Sequence, residues 1–108
     1  MSIGQDTAGQ SGTYSPLYEV HAANQRRLTR ELLAVPLRDF DRLQRDLESL
    51  AINPRPRGAV CLGDDVYRIR RGDWRIIYKV LDTERLVLIG GVRRRDERTY
   101  RAIPGLFG

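Results

Sequence analysis

The first half of the chain repeats apolar residues at the spacing of a helix. Leu37, Phe40, Leu43, Leu47 and Leu50 follow one another at intervals of three or four residues, which places them on one helix face. This pattern predicts an amphipathic helix. Charged residues fall on its other side, where we expect them to be solvated; they are Arg38, Asp41, Arg42, Arg45, Asp46 and Glu48.

A shorter apolar pattern precedes that helix. Leu28, Leu32 and Leu33 suit a first helix that ends near Val35. Pro36 suits the first turn of the second helix, because the φ angle of proline is already helical. The stretch Asn-Pro-Arg-Pro-Arg-Gly then ends the second helix. The sequence therefore predicts two helices joined by a short turn.

Beyond Gly58 the apolar residues follow the spacing of strands, and turn residues divide this part of the chain. The predicted strands are Ala59–Leu62, Val66–Arg71, Trp74–Leu81 and Leu86–Val92. A further strand, Leu17–His21, precedes the helices and has to pair with this sheet. The order of elements predicts a small α+β domain: an N-terminal strand, a two-helix hairpin, and an antiparallel β-meander with the helices packed on one face.

The 108 residues are the length of one domain. Residues 1–13 are polar and rich in Gly, and we expect them to form a flexible leader. The domain itself is expected to span residues 14–101. The uncharged residues 102–108 are expected to form a C-terminal tail.

The turn before Trp74 fixes which residues of the neighbouring strands face one another. The Gly-Asp pair at 72–73 suits a two-residue type II′ turn, in which glycine comes first. Opposed residues then have numbers that sum to 145, and opposed side chains share a face of the sheet. The pairs Ile69–Ile76 and Tyr67–Tyr78 thus form an apolar face for the helices.

The other face of this hairpin carries cations. They are Arg68, Arg70, Arg75 and Lys79. Arg70 lies directly opposite Arg75, and opposed like charges destabilise a sheet by roughly a few tenths of a kcal/mol. Solvent and salt can absorb that cost, so a merely solvated face is one interpretation. Binding of a polyanion is the other, and the convergence of four cations on one open face favours it.

The positive charge belongs to the second half of the chain. The net charge is +5, of which residues 1–53 carry −1 and residues 54–101 carry +6. Eighteen of the nineteen basic residues are arginine, which grips phosphates through two parallel hydrogen bonds, although a genome rich in G and C would produce the same bias. A phosphate-rich or acidic partner is expected. A second basic cluster closes the chain with Arg93, Arg94, Arg95, Arg98 and Arg101.

Several kinds of site are disfavoured. One cysteine, Cys61, and one histidine, His21, leave no disulfide framework and no expected metal site. No apolar run reaches the roughly 18–20 residues of a membrane helix, and the polar N-terminus does not resemble a secretory signal, so a cytoplasmic location is expected. No Gly-rich phosphate loop occurs, and Gly90-Gly91 is expected to form a strand bulge or bend.

Three stretches together resemble the RelE/ParE toxin superfamily of bacterial toxin–antitoxin systems. They are the run Asn53–Pro56 after the amphipathic helix, the stretch Val66–Val80, and the last strand with its continuation through Arg95 to Tyr100. The middle stretch is the most specific, because it combines a Tyr-Arg-x-Arg strand, a Gly-Asp-aromatic-Arg turn and an apolar return strand. The resemblance covers about residues 17–101.

In the RelE branch, the resemblance implies a ribosome-dependent mRNA endonuclease that cuts messages in the ribosomal A site. It implies a cognate antitoxin, the ribosome and mRNA as partners, and no cofactor, metal or membrane. Attack of a 2′-OH on the adjacent phosphate needs orientation and charge stabilisation, which arginines can supply. The catalytic candidates are Arg75, Arg95 and Tyr100, and the candidates for binding RNA phosphates are Arg68, Arg70, Lys79 and Arg94.

One departure from the family pattern concerns Arg94. Many relatives have His or Lys at that position, so an acid–base role for histidine is absent here. The alternative function is a ParE-like inhibitor of DNA gyrase with the same fold, in which the basic catalytic set is generally incomplete. This chain retains the basic catalytic set, which favours RNA cleavage over gyrase inhibition. A third interpretation is a basic RNA-binding module without catalysis.

Overall fold

The computed structural model describes residues 17–95 and 103–107. The predicted fold class is confirmed: a strand and two helices precede an antiparallel meander, and all the described strands join one sheet. The elements are β1 (Glu19–Ala22), α1 (Gln25–Leu33), α2 (Leu37–Ser49), β2 (Val60–Gly63), β3 (Val66–Arg71), β4 (Trp74–Leu81), β5 (Leu86–Arg94) and α3 (Ile103–Leu106).

The sheet has the strand order β1-β5-β4-β3-β2. Strands β2 to β5 pair antiparallel in sequence order, as a meander does. The first strand returns to the far side of β5 and pairs with it in parallel, with Val20 beside Val87. β1 and β2 are therefore the two edges, and the hairpin of β3 and β4 lies inside the sheet.

The two helices begin where their local sequence favours it. The side chain of Asn24 accepts a hydrogen bond from the N–H of Arg27 at 3.0 Å, which caps α1. Pro36 lies at the N-cap of α2, one residue before the predicted first turn, with a φ of −57°. Leu37 was predicted on the buried face but is 89% exposed, because it is the first residue of α2, at the turn from α1.

The core lies between the helices and one face of the sheet. Its buried members include Leu28, Leu43, Leu47, Leu50, Ile69, Ile76, Tyr78, Val80, Val87, Ile89 and Val92. The stacked rings of Tyr67 and Tyr78, with centroids 5.7 Å apart, lie on this face, and the hydroxyl of Tyr78 donates to the carbonyl of Pro54 at 2.7 Å. Burial raises the pKa of the Tyr78 hydroxyl well above its usual range, which keeps it protonated.

The predicted hairpin register is confirmed along the whole of β3 and the facing residues 74–79 of β4. Tyr67 pairs with Tyr78 and Ile69 pairs with Ile76, so paired numbers sum to 145. Gly72 has a φ of 59°, whereas Asp73 is not among the residues with positive φ, which is the pattern of a type II′ turn. Turn chemistry and strand alternation thus fix the same register.

The predicted bulge in the last strand is also confirmed. Ile77 pairs with Gly91 and Tyr78 pairs with Ile89, so Gly90 has no partner across the strand pair. The bulge leaves no room above Gly90, since a Cβ atom added there would lie 2.5 Å from the ring of Phe107.

No helix among the described residues is long and apolar enough to cross a membrane.

Candidate functional site

The hairpin register places the predicted cations on one face of the sheet, away from the core. Arg70 pairs with Arg75, Arg68 pairs with Ile77, and Lys79 pairs with Val66. We call the set Arg68, Arg70, Arg75 and Lys79 the basic face. Its members differ in exposure: Arg70 is exposed, Arg68 and Lys79 are partly buried, and Arg75 is buried.

Arg75 does not extend into solvent as the sequence alone suggested. Only 5% of its surface is exposed, and its guanidinium folds back over the hairpin turn. There Nη1 donates to the carbonyl of Gly72 at 2.7 Å and to that of Trp74 at 2.8 Å. The cation satisfies two backbone acceptors, and this arrangement holds it in one orientation at the tip of the hairpin.

The expectation of an open face is also wrong in part, because the C-terminal segment covers one end of it. Leu106 of α3 forms a second small core with Val66 and Ile77, which are 6% and 0% exposed. Ile103 and Phe107 pack against the same cluster. These side chains lie on the basic face, and the apolar residues between its cations explain why the segment docks there.

Arg27 of α1 ties this segment to the domain. Its Nη2 donates to the carbonyl of Leu106 at 2.8 Å and to the carbonyl of Gly90 at 3.2 Å. The first bond satisfies a carbonyl at the end of α3, and the second satisfies one at the bulge. The sequence pattern gave no signal for this contact, since Arg27 looks like any solvated helix residue.

Lys79 lies at the covered end of the basic face. It lines a groove of about 560 Å³ between the β2–β3 turn and the C-terminal segment. The other lining residues are mostly apolar, and they are Leu62, Gly63, Asp64, Val66, Ile103, Pro104 and Phe107. Lys79 is therefore separated from the exposed cations near the hairpin tip.

The three consecutive arginines Arg93, Arg94 and Arg95 point in different directions, because successive side chains of a strand alternate between the two faces of the sheet. β5 extends to Arg94, two residues beyond the predicted end, so Arg93 pairs with Arg75 and Arg94 pairs with Trp74. Arg93 turns to the sheet edge, where its Nε donates to Glu31 at 2.9 Å. The guanidinium of Arg94 lies over the indole of Trp74, on the helix side, at 4.8 Å from the ring centroid.

Glu31 explains why Arg93 is unavailable for other anions. Its second carboxylate oxygen accepts the backbone N–H of Val92 at 2.9 Å, beyond the point where β1 ends. The carboxylate thus satisfies both a strand donor at the open edge and the Arg93 guanidinium.

Arg95 is different: its backbone N–H donates to the carbonyl of Asp73 at 2.7 Å, while the residue itself is exposed beside the turn.

Two of the expected site residues are thus brought together in the open. Arg70 and Arg95 are exposed near the hairpin tip, and the buried Arg75 lies under the same turn. Arg94 reaches this tip from the helix side, whereas Lys79 does not reach it. Tyr100, the remaining catalytic candidate, lies outside the described residues.

A second group of arginines at the tip was expected to be solvated helix surface. Arg38 and Arg42 of α2 line a cleft of about 200 Å³ beside Arg71 and Arg94. Arg71 makes a bidentate pair with Asp46, with Nε and Nη2 each 2.6 Å from a carboxylate oxygen, and this hydrogen bonding raises the pKa of Arg71. Its cation is already engaged.

The opposite end of β4 holds a group of paired side chains. Asp82 accepts two hydrogen bonds from Arg55, at 3.1 and 2.7 Å, and one from the hydroxyl of Tyr18. Arg55 also donates to the hydroxyl of Tyr67 at 2.8 Å. The hydrogen bonds from Arg55 and Tyr18 hold the pKa of the Asp82 carboxyl below its usual range.

Comparison with known proteins supports the sequence resemblance. The family described as "ParE toxin of type II toxin-antitoxin system, parDE" matches residues 18–99. A Methanocaldococcus jannaschii protein named toxin RelE1 is 29% identical over 83 residues, which cover 72% of this chain and 88% of that protein.

Solved structures agree with the fold. The Pyrococcus horikoshii RelE–RelB complex contains a chain that is 25% identical, with a TM-score of 0.63, over 75% of this chain and 98% of that one. A chain of the RelBE2 toxin–antitoxin complex from Mycobacterium tuberculosis is 23% identical, with a TM-score of 0.61, over 77% of this chain and 98% of that one.

Proposed function

We propose, from the premise that the chain belongs to the RelE/ParE toxin superfamily of type II toxin–antitoxin systems, that this RelE-like toxin is a ribosome-dependent mRNA endonuclease. The proposal rests on one observation above the others. The hairpin register brings Arg70 opposite Arg75 on a sheet face that also carries Arg68, and Arg95 lies beside the same turn. Such a concentration of guanidinium groups suits a phosphate that becomes more negative as it reacts.

The chemistry needs a positioned phosphate more than it needs a cofactor. The 2′-OH of one nucleotide attacks the adjacent phosphorus in line, and the bond to the 5′-oxygen of the next nucleotide breaks. The products are a 2′,3′-cyclic phosphate and a 5′-OH end. The enzyme has to align these groups and stabilise the charge of the pentacoordinate intermediate.

The residues at the hairpin tip divide this work between them. Arg75 is held by the carbonyls of Gly72 and Trp74, so its charge is oriented before substrate arrives. We assign to Arg75 the role of stabilising the negative charge that develops on the reacting phosphate. Arg70 and Arg95 are both exposed. In the proposal, Arg70 binds the flanking phosphate and Arg95 contacts the side of the leaving group.

Tyr100 completes the proposed set as the general base or as a stacking platform for a base. A phenol has an ordinary pKa of about 10, so a base role requires nearby cations to lower it. Arg68, Arg94 and Lys79 remain in the proposal as binders of the RNA backbone. The mRNA is presented in the ribosomal A site, which makes the ribosome a partner of the toxin.

A cognate antitoxin is the other proposed partner. The P. horikoshii relative was solved in complex with RelB, and the exposed cations of this chain suit an acidic segment that neutralises them. Co-expression with the neighbouring gene product should yield a tight complex and restore growth. A soluble chain that is not toxic and ignores that product would contradict this part of the proposal.

The second candidate function is inhibition of DNA gyrase. It is favoured by the matched family description, which names a ParE toxin. In that case, the chain binds a protein target, and cleavage of RNA plays no part.

Primer extension on a reporter message tests the proposal and separates it from the second candidate. In cells that express the chain alone, new 5′ ends should appear within the translated region. A reporter without its start codon is the control and should stay intact. Intact translated message together with accumulated gyrase–DNA cleavage complexes would instead support the gyrase inhibitor.

A further inference from the structure

A cleft at the hairpin tip lies on the helix side of the sheet, opposite the basic face. Its volume is about 200 Å³, several times the roughly 30 Å³ that one water occupies in the liquid, so it can hold a phosphate group. The cleft is lined by Arg38, Asp39, Arg42, Arg71, Gly72, Asp73, Trp74 and Arg94. Four positive and two negative side chains line it, which leaves an excess of positive charge.

Arg38 and Arg42 are the cations that make this cleft different from a network of ion pairs. They lie four residues apart on α2, so both point from the same side of the helix. Both are exposed, and within residues 17–95 and 103–107 neither has a hydrogen-bond or ion-pair acceptor. Like charges one turn apart repel each other, and an anion between them would remove that cost.

One of the two carboxylates that line the cleft is engaged, since Asp39 accepts the indole N–H of Trp74 at 3.1 Å. The guanidinium of Arg71 is held by Asp46 of α2 in a bidentate pair. The guanidinium of Arg94 lies over the same indole, 4.8 Å from the ring centroid. These contacts give the cleft a fixed wall, against which Arg38 and Arg42 can close on an anion.

Gly72 joins this cleft to the basic face. Its carbonyl accepts Nη1 of Arg75 on one side of the sheet, and the residue lines the cleft on the other side. The two surfaces are therefore separated by only the two-residue turn. A nucleic-acid strand that crosses the turn can contact cations on both sides of it.

We propose that the cleft binds a backbone phosphate of the RNA substrate, with Arg38 and Arg42 as its principal ligands. This inference rests on the proposed function, since it names where the RNA continues beyond the reacting phosphate. The strand then runs from Arg70 over the hairpin turn to α2. The contact is with the backbone, so it adds affinity without adding sequence preference.

The test compares two arginine pairs of equal charge and spacing. Arg38→Gln with Arg42→Gln removes the proposed ligands, and Arg26→Gln with Arg30→Gln removes an exposed pair four residues apart on α1. The ligand is a short 2′-O-methyl RNA, which cannot be cleaved, and its affinity for the full chain is measured over a range of salt concentrations. Thermal melts establish that both variants are folded.

We expect the slope of log affinity against log salt to become shallower by about 1.4 for the α2 pair, at about 0.7 for each lost contact to a single strand. The α1 pair should leave the slope unchanged. Arg38→Lys with Arg42→Lys should restore most of the slope, since the charges return.

Two results would overturn the inference. One is an equal change of slope for the two glutamine pairs, which would make the effect one of net charge alone. The other is an unchanged RNA slope in the folded α2 variant, and a loss of affinity for an acidic peptide in the same variant would then assign the cleft to a protein partner. Failure of the proposed function itself would be recognised separately, as an absence of translation-dependent cleavage by the parental chain.

Discussion

The two ends of β4 both carry arginines, but they use them differently. At the end near Asp82, Arg55 is held by two carboxylate oxygens and by the hydroxyl of Tyr67. At the hairpin tip, Arg38 and Arg70 are exposed, and no described residue supplies an acceptor to either side chain. About seven strand residues, or roughly 24 Å, separate the two ends.

This difference shows that the number of arginines does not identify the candidate site. Arg71 lies at the tip but is engaged by Asp46, and Arg93 lies near it but is engaged by Glu31. These cations hold elements of the fold together. Arg38, Arg42, Arg70, Arg75 and Arg95 have no carboxylate partner among the described residues, and they lie at or beside the turn at 72–73.

The largest effect is expected for Arg75→Ala. Loss of a group that stabilises the reacting phosphate should slow single-turnover cleavage about a hundred- to a thousandfold. The variant should also melt at a lower temperature, because the carbonyls of Gly72 and Trp74 lose a buried donor, at a cost of about 1–3 kcal/mol. Arg26→Ala on α1 is the matched control and should match the parental chain in both measurements.

Cleavage at the parental rate by a folded Arg75→Ala variant would remove Arg75 from the mechanism. Arg75 would then be an arginine that only stabilises the fold, as Arg55 does, and the functional difference between the two ends of β4 would be smaller. Arg75→Lys separates the two contributions, since it keeps a charge but cannot reproduce the guanidinium geometry.

A smaller effect is expected for Gly90→Ala, which tests the cover over the far part of the basic face. The new methyl group would lie 2.5 Å from the Phe107 ring, so the ring and the C-terminal segment have to move. We expect a loss of about 1–3 kcal/mol in the free energy of unfolding, measured in denaturant. In a Phe107→Ala background the same change should cost less, and an equal cost in both backgrounds would show that the two residues do not interact.

The smallest effect concerns the paired end and depends on pH. The pKa of Asp82 is lower in the folded chain than its ordinary value of 3.8, so the stabilisation is complete above that pH. It is lost as the pH falls through the lower, folded value. The Tm of the parental chain should therefore exceed that of Asp82→Asn at pH 7, and the difference should shrink towards zero below pH 3.8. A difference that does not change with pH would exclude the carboxylate charge as its cause.

The sequence predicted the parts of the molecule that local rules decide. The turn at 72–73 and the alternation of Tyr67, Ile69, Ile76 and Tyr78 fix the hairpin register, and both rules depend on neighbours in the chain. The same rules correctly placed the cations of β3 and β4 on one face. Fold class followed from the order of the elements.

The sequence did not predict how individual cations are engaged, since that depends on contacts across the fold. The pairing of Arg93 with Glu31 joins residues that are 62 positions apart, and strand alternation divides a run of arginines that looks uniform in sequence. The docking of α3 was missed for a related reason. Four residues are too short for a periodic pattern, and the apolar surface that receives them comes from β3 and β4.

The central claim is that the cations at the hairpin tip without a carboxylate partner, namely Arg75 on its two carbonyls and the exposed Arg70 and Arg95, handle RNA, whereas Arg55, paired with Asp82 at the other end, maintains the fold. The direct test is single-turnover cleavage of ribosome-bound mRNA, with a thermal melt of each variant. Arg70→Gln with Arg95→Gln should slow cleavage at least tenfold and leave the Tm within about 2 °C of the parental value, since exposed residues contribute little to stability. Arg55→Gln should lower the Tm by up to about 5 °C and cleave at the parental rate when folded. The opposite pattern, with slow cleavage by Arg55→Gln and the parental rate for the tip variant, would contradict the account.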